Sequence, residues 1–290
     1  MKSDSPFKLS KEELEHWEST GFVGPFTAWT PEEMDAFRPR IHAAYERPSD
    51  VFGFSTTRDR HLDSLAIWTV GTHPAVLERC IQIHGPDQLL WRSNLFHKPP
   101  GGHEIGAHQG LGFPGIAKAM PSISPGTNIT AWMALTDCTL ENGCVQLFPG
   151  TQHKVYEMKP IEDRGVFGRG IALHGLEDIE PVSMDIRRGQ FFLFNESVVH
   201  RSSVNRSNVD RTGIGFRFTP TSTRVYDDSP IDCRGMPLKR WHTIVVCGEN
   251  TYTHNRIGEA PVSDEYPRKP FQRILGALRE RYYRRFHGMQ

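Results

Sequence analysis

Two histidines and a glycine carry the most informative chemistry in the sequence. His108 stands in Gly101-Gly102-His103-Glu104-Ile105-Gly106-Ala107-His108-Gln109-Gly110, directly after a glycine-rich turn. In an extended segment, side chains two apart share a face, so His108 and position 110 aim at one point. His200 ends the apolar run Gly189-Gln190-Phe191-Phe192-Leu193-Phe194-Asn195-Glu196-Ser197-Val198-Val199-His200 and is read as closing a strand. Two histidines and a carboxylate with open positions form the facial site of a mononuclear non-haem iron centre, often written His-x-Asp…His. Here the carboxylate position holds Gly110. The chain has 14 histidines, so the arrangement, not a single imidazole, selects this pair.

Could another carboxylate complete the set? Glu104 has the right parity relative to His108, but four residues of strand put it roughly 13 Å away, too far to share one metal. Asp137 and Glu141 lie in Asp137-Cys138-Thr139-Leu140-Glu141-Asn142-Gly143, where serving the turn is the simpler role. Arg211 and Arg217 lie in Arg211-Thr212-Gly213-Ile214-Gly215-Phe216-Arg217-Phe218, and strand parity gives them one face. An inward arginine needs an anion to offset its desolvation, and a carboxylate matches the guanidinium fork. That anion is either a bound dicarboxylate or a structural partner.

The elements that must position these residues read as short helices first and many short strands later. Ser10 and Glu13 form a capping box for a helix over 9–17. Thr30 caps a second helix with Pro31 in its first turn. Gly21–Phe26 reads as a broken strand, 73–81 as a helix stopped by Gly85-Pro86, and 50–72 has no clear assignment. Strand signals follow at 89–98, 128–136, 144–148, 190–194, 213–219 and 243–247. The charged, glycine-punctuated stretch 160–181, with Arg164 and Arg169, reads as a long loop, either a lid over a site or plainly solvated. Residues 271–286 read as a basic amphipathic helix packed on the domain with a solvated cationic face. The expectation is one domain over 1–290, mainly β with flanking helices: a double-sheeted jelly roll with helices outside one sheet.

Composition narrows the partners. Lys+Arg and Asp+Glu are both 34, so no net charge favours a nucleic-acid polymer or an anionic membrane. The five cysteines form no Cys-x-x-Cys pair and read as reduced thiols. The polar N-terminus and the lack of a long apolar run give the expectation of a soluble, cytoplasmic protein.

Taken together, these residues resemble the phytanoyl-CoA dioxygenase-type branch of Fe(II)/2-oxoglutarate oxygenases, and within it the aliphatic halogenases of the syringomycin threonine halogenase type. The resemblance runs from about residue 9 to 256. It rests on Gly21–Phe26 with Pro31-Glu32-Glu33-Met34, Arg60-His61-Leu62-Asp63, Trp91-Arg92 with Phe96, and Asn142-Gly143-Cys144-Val145-Gln146 with Pro149-Gly150-Thr151-Gln152. Gly189-Gln190-Phe191 with His200, and Arg211 with Gly215-Phe216-Arg217, extend it. Such halogenases carry Ala or Gly where the iron-binding aspartate would stand, and Gly110 fits that variant. The resemblance implies a double-stranded β-helix with Fe(II) held by His108 and His200, and 2-oxoglutarate chelating the iron with its far carboxylate on Arg211. Thr130 and Trp132 would line the cofactor pocket, and Asn94 and Arg217 would stand near a chloride in the vacancy at Gly110. It implies oxidative decarboxylation of 2-oxoglutarate coupled to chlorination of an unactivated carbon. A hydroxylase and a catalytically silent binding protein are the competing readings. The substrate is either a free small molecule, such as an amino acid or a deoxyadenosine nucleotide, or an aminoacyl group tethered to a carrier protein.

Overall fold

The computed structural model describes residues 5–110, 128–156, 159–161, 170–172, 175–225, 230–232 and 236–264. Four helices come first: α1 (Lys11–Thr20), α2 (Pro31–Glu46), α3 (Leu65–Gly71) and α4 (Pro74–His84). The expected capping box at Ser10 forms, and the expected Thr30 cap proves to be a second one. The Ser10 hydroxyl accepts from the Glu13 N–H at 3.2 Å while the Glu13 carboxylate accepts from the Ser10 N–H at 2.7 Å. Thr30 and Glu33 repeat the pattern at 3.2 and 2.8 Å. Each cap satisfies end groups that the helix itself leaves open, a contribution of about 1 kcal/mol.

The strands are β1 (Phe22–Thr27), β2 (Gln88–Lys98), β3 (Ile105–His108), β4 (Ile129–Ala134), β5 (Val145–Leu147), β6 (Lys159–Ile161), β7 (Gly170–Ala172), β8 (Val182–Ser183), β9 (Gln190–Asn195), β10 (His200–Ser202), β11 (Arg211–Pro220) and β12 (Ile244–Cys247). One sheet runs β1-β9-β4-β11-β2-β12, a second runs β3-β10-β5-β8, and β6 pairs with β7. Every ladder is antiparallel. This is the expected double-stranded β-helix with helices against the larger sheet.

Strand parity sorts the side chains into layers. Ala131 and Met133 of β4, Phe191 and Leu193 of β9, and Ile214, Phe216 and Phe218 of β11 join Met34, Ile41, Ile67, Val70, Val76 and Cys80 of the helices in one core. The alternate residues Trp132, Phe192 and Phe194 face the other way, onto Val145 and Leu147 of the smaller sheet and Cys144 just before it. A sheet covered on both faces reads as nearly continuous apolar sequence, as Phe191-Phe192-Leu193-Phe194 does. On β11 the alternate set is Arg211, Gly213, Gly215 and Arg217. A Cβ on Gly213 would lie 2.3 Å from Trp132 Cη2, so the glycine is what lets the indole lie flat across the strand.

The structure amends several expectations. Residues 50–72 contain a 3-10 turn at Arg60–Leu62 and all of α3. Their apolar side chains Phe52, Phe54 and Leu62 pack with Trp91, Val225, Met236 and Trp241, partners too distant in sequence to leave a local period. The stretch 160–181 is not all loop, since it contains part of the β6–β7 pair. His200 does not close a strand. The strand β9 ends at Asn195, Glu196–Val199 cross between sheets, and His200 opens β10. Arg164, Arg169 and the basic segment 271–286 fall outside the described residues.

Candidate metal and cofactor site

The crossover brings the two histidines into direct register. His200 on β10 pairs with His108 on β3, and their ring centroids are 4.1 Å apart. Each ring is held the same way. His108 Nδ1 lies 2.8 Å from the Gly106 carbonyl and His200 Nδ1 lies 2.9 Å from the Val198 carbonyl, in both cases the residue two before. A carbonyl only accepts, so Nδ1 carries the proton and the lone pair sits on Nε2, the tautomer a metal requires. Phe194 meets the His200 ring edge-on at 5.0 Å. Enclosure, and then the adjacent His108 ring, hold the His200 imidazole well below its ordinary titration range.

The surrounding clamps explain the motif residues that do no chemistry themselves. Gln109 points away from the histidines and is buried. Its amide nitrogen donates to the Ser197 carbonyl at 2.6 Å and the Lys154 carbonyl at 2.7 Å, and its oxygen accepts from the Tyr156 N–H at 3.0 Å. It therefore fixes the end of β3 to both neighbouring segments. Thr151 Oγ1 accepts from the Val199 N–H at 2.9 Å and donates to the Phe148 carbonyl at 2.7 Å, which sets the start of β10. Asn142 closes its own turn, accepting from the Thr139 N–H at 2.8 Å. The next residue, Gly143, has φ +78°, and a Cβ there would lie 2.4 Å from the Ser203 carbonyl, so a side chain is excluded on both grounds.

One cavity between the sheets is lined by His108, Gly110, His200, Arg211, Arg217, Asn94, Thr130 and Trp132 together. The structure thus places in one cavity lining the eight residues to which the sequence and the resemblance gave a site role. Register shows how: Gly215 sits between Asn94 and Trp132, and Arg217 between Arg92 and Thr130. Arg92, Phe96, Phe194 and Arg201 also line it and were not singled out as site residues. Asp137 and Glu141 do not reach the cavity. They face a separate surface hollow with Arg38 and His42.

Do these residues suit Fe(II) and 2-oxoglutarate? Arg211 is 1% exposed and its Nε has no hydrogen-bond partner among the described residues. Among those residues it forms no ion pair. Its neighbours include the Trp132 ring, 5.7 Å from the guanidinium carbon, Cys138 and Cys144, and the buried Lys98 paired with it across β2 and β11. Burial accordingly lowers its pKa. An unmatched buried guanidinium in a cavity with two metal-ready imidazoles fits a bound carboxylate. The third protein ligand of a facial triad does not form among the described residues. Among the described residues no three His, Cys, Asp or Glu side chains are grouped to hold a metal, and residues 111–127, which follow Gly110, contain none of these types.

Sequence reasoning about the missing carboxylate passed over Glu196. It is buried in the crossover, and its backbone carbonyl accepts from the Gly110 N–H at 2.8 Å. Its Oε2 accepts from Asn128 Nδ2, and Asn128 Oδ1 accepts from Trp91 Nε1 at 2.9 Å. Burial pushes the Glu196 carboxyl up to about 7, against the opposing pull of Arg217, the Asn128 hydrogen bond and Arg92. The signal was a lone charge within an apolar run.

Known proteins agree with this architecture. The profile of the phytanoyl-CoA dioxygenase (PhyH) family matches residues 17–213. The dioxygenase lolE1 of Epichloe uncinata is 32% identical over 130 residues, 45% of each chain. The dioxygenase andF of Emericella variicolor is 28% identical over 151 residues, 51% of this chain and 48% of its own. The chain thus spans about half the length of these curated relatives. Among solved structures, CytC3 with Fe(II) and alpha-ketoglutarate superposes with a TM-score of 0.70 at 26% identity, covering 89% of this chain and 96% of that one. The non-heme monooxygenase ThoJ shares the fold, with a TM-score of 0.70 at 20% identity, covering 92% and 95%. No helix among the described residues is long and apolar enough to cross a membrane. The chain belongs to the phytanoyl-CoA dioxygenase family of Fe(II)- and 2-oxoglutarate-dependent oxygenases.

Proposed function

We propose that the protein is an Fe(II)-, 2-oxoglutarate- and O2-dependent halogenase that chlorinates an unactivated sp3 carbon of a small molecule. The observation that carries this reading is Gly110: two paired, correctly protonated histidines stand beside a backbone position with no side chain. His108 and His200 would hold the metal through Nε2. Arg211 would take the far carboxylate of 2-oxoglutarate, with Thr130 and Trp132 as walls. Asn94 and Arg217 would face the halide. Bound iron and 2-oxoglutarate would supply the oxidising chemistry that activates the substrate carbon. An aspartate at 110 would bring one negative charge and fill the space. Glycine leaves both to be supplied by one chloride.

The protein's own task is then positioning, with the reacting carbon kept nearer the halide than any source of hydroxyl. The cavity lining contains Arg92, Arg201, Arg211 and Arg217; among the described residues no carboxylate is part of the lining itself, and Glu196 adjoins it at Gly110. With Arg211 and Arg217 given to 2-oxoglutarate and the halide and Arg92 shared with Asp59 and Asp232, Arg201 is left to meet an anionic group of a free substrate. The carboxylate of an amino acid or the phosphate of a deoxynucleotide would serve, in preference to an aminoacyl group tethered to a carrier protein. A hydroxylase is the second reading, favoured only by the nearness of the Glu196 carboxyl to Gly110.

The test is anaerobic spectroscopy with Fe(II), 2-oxoglutarate and chloride, followed by turnover with candidate substrates read by mass spectrometry. A charge-transfer band that responds to chloride is expected, and Gly110→Asp is expected to abolish chlorination while succinate still forms. Chloride-independent spectra, or continued chlorination by Gly110→Asp, would overturn the reading.

A further inference from the structure

Whatever fills the side-chain space of residue 110 must touch Glu196. Among the described residues beyond its chain neighbours, the three atoms nearest a Cβ built on Gly110 all belong to Glu196: the carbonyl oxygen at 3.2 Å, Cβ at 3.3 Å and Oε2 at 3.7 Å. The Glu196 residue is 4% exposed, and its Oε1 has no hydrogen-bond partner among the described residues. The charged groups that face it are Arg217 of β11 and Arg92 of β2, and Asn128 ahead of β4 supplies one hydrogen bond. Arg92 is itself shared with Asp59 and Asp232, at 3.8 and 3.7 Å. The cationic field over Glu196 is therefore partly spent elsewhere.

A buried carboxylate beside a vacancy repels any anion that enters it, whereas the carboxylic acid offers a proton donor. The geometry points to Glu196 as the residue that decides what fills the Gly110 position: as the neutral acid it admits and hydrogen-bonds a halide, and as the carboxylate it excludes one. This rests on the halogenase reading and adds to it a specificity-determining residue outside the iron ligands. It also assigns a reason for placing an otherwise costly acid in an apolar crossover. The raised titration of Glu196, to about 7, agrees with this role.

The experiment is halide binding to the anaerobic protein loaded with Fe(II) and 2-oxoglutarate. Chloride and bromide are titrated against the charge-transfer band at pH 6 and pH 8, for the parent protein and Glu196→Gln. A group titrating near 7 is about nine-tenths ionised at pH 8, and only the neutral fraction is competent. The parent should therefore bind halide about tenfold more weakly than Glu196→Gln at pH 8, and within about twofold of it at pH 6. Glu196→Met should also lose the pH dependence and serves if the Gln variant does not fold. Equal halide affinity of parent and variant at pH 8 overturns the inference. Loss of iron affinity in Glu196→Gln also overturns it, by making Glu196 the missing ligand. If the parent binds iron and 2-oxoglutarate but no halide at either pH, the halogenase reading itself fails.

Discussion

A pair of buried arginines, Arg58 and Arg92, and a single one, Arg211, lie at the large sheet and are treated in opposite ways. At the middle of β2, Arg58 pairs with Asp232, and Arg92 lies 3.8 Å from Asp59 and 3.7 Å from Asp232. The Asp232 carboxyl is pushed up by burial, yet Arg58 and Arg92 outweigh that and hold it below its ordinary range. Burial, and then Arg58, lower Arg92 to about 9. On β11, Arg211 is just as buried and meets no carboxylate among the described residues. Desolvating a charge costs several kcal/mol unless a partner offsets it. The first set answers that cost within the fold. The second leaves it for a ligand to answer, which is how a binding residue differs from a structural one.

The comparison breaks first at Asp232. Asp232→Ala removes the carboxylate that Arg58 and Arg92 share and leaves them the more weakly placed Asp59 and, for Arg92, Glu196. Stability should fall by about 3–5 kcal/mol, read by urea unfolding. A loss under about 1 kcal/mol would mean the cluster is effectively solvated. Arg211→Met removes an unmatched charge and keeps the bulk. Here stability in the absence of ligand should hold or rise, while anaerobic 2-oxoglutarate affinity drops at least about thirtyfold, the usual cost of stripping a buried charge pair of one member. If Arg211→Met instead lowers stability by several kcal/mol while the folded variant keeps its 2-oxoglutarate affinity, Arg211 is structural in the same way as Arg58 and Arg92.

The same contrast shows which parts of the molecule can be read from sequence. Local rules are legible: Ser10 with Glu13 and Thr30 with Glu33 are capping boxes by spacing alone, and strand parity places Arg211 and Arg217 on one face. Proximity across the sheet is not. Nothing near Arg92 in sequence announces Asp232, and nothing near Phe52 or Leu62 announces Trp241, so 50–72 had no period to read. The crossover was hidden for another reason. Phe191–Phe194 and Val198–Val199 are all core residues, so the run reads as one strand although Asn195-Glu196-Ser197 turn the chain between sheets. The histidine pair was legible as types and spacing. Its shared Nδ1–carbonyl clamp needed the register of β3 against β10.

The smallest effect is expected at the carboxylate nearest in kind to the missing ligand but wrongly placed for it. Asp137 accepts from the Arg188 N–H at 2.9 Å and pairs with the Arg188 guanidinium at 3.1 Å, with its side chain 52% exposed. Exposed pairs of this sort contribute little and are screened by salt. Asp137→Ala should leave the iron and 2-oxoglutarate affinities unchanged, and any shift in melting temperature should vanish at high salt. A tenfold loss of iron affinity would mean that the turn after β4 delivers its acid to the histidines. The position at Gly110 would then be closed by a carboxylate after all, and the contrast between matched and unmatched charge would have to be redrawn with the metal on the matched side.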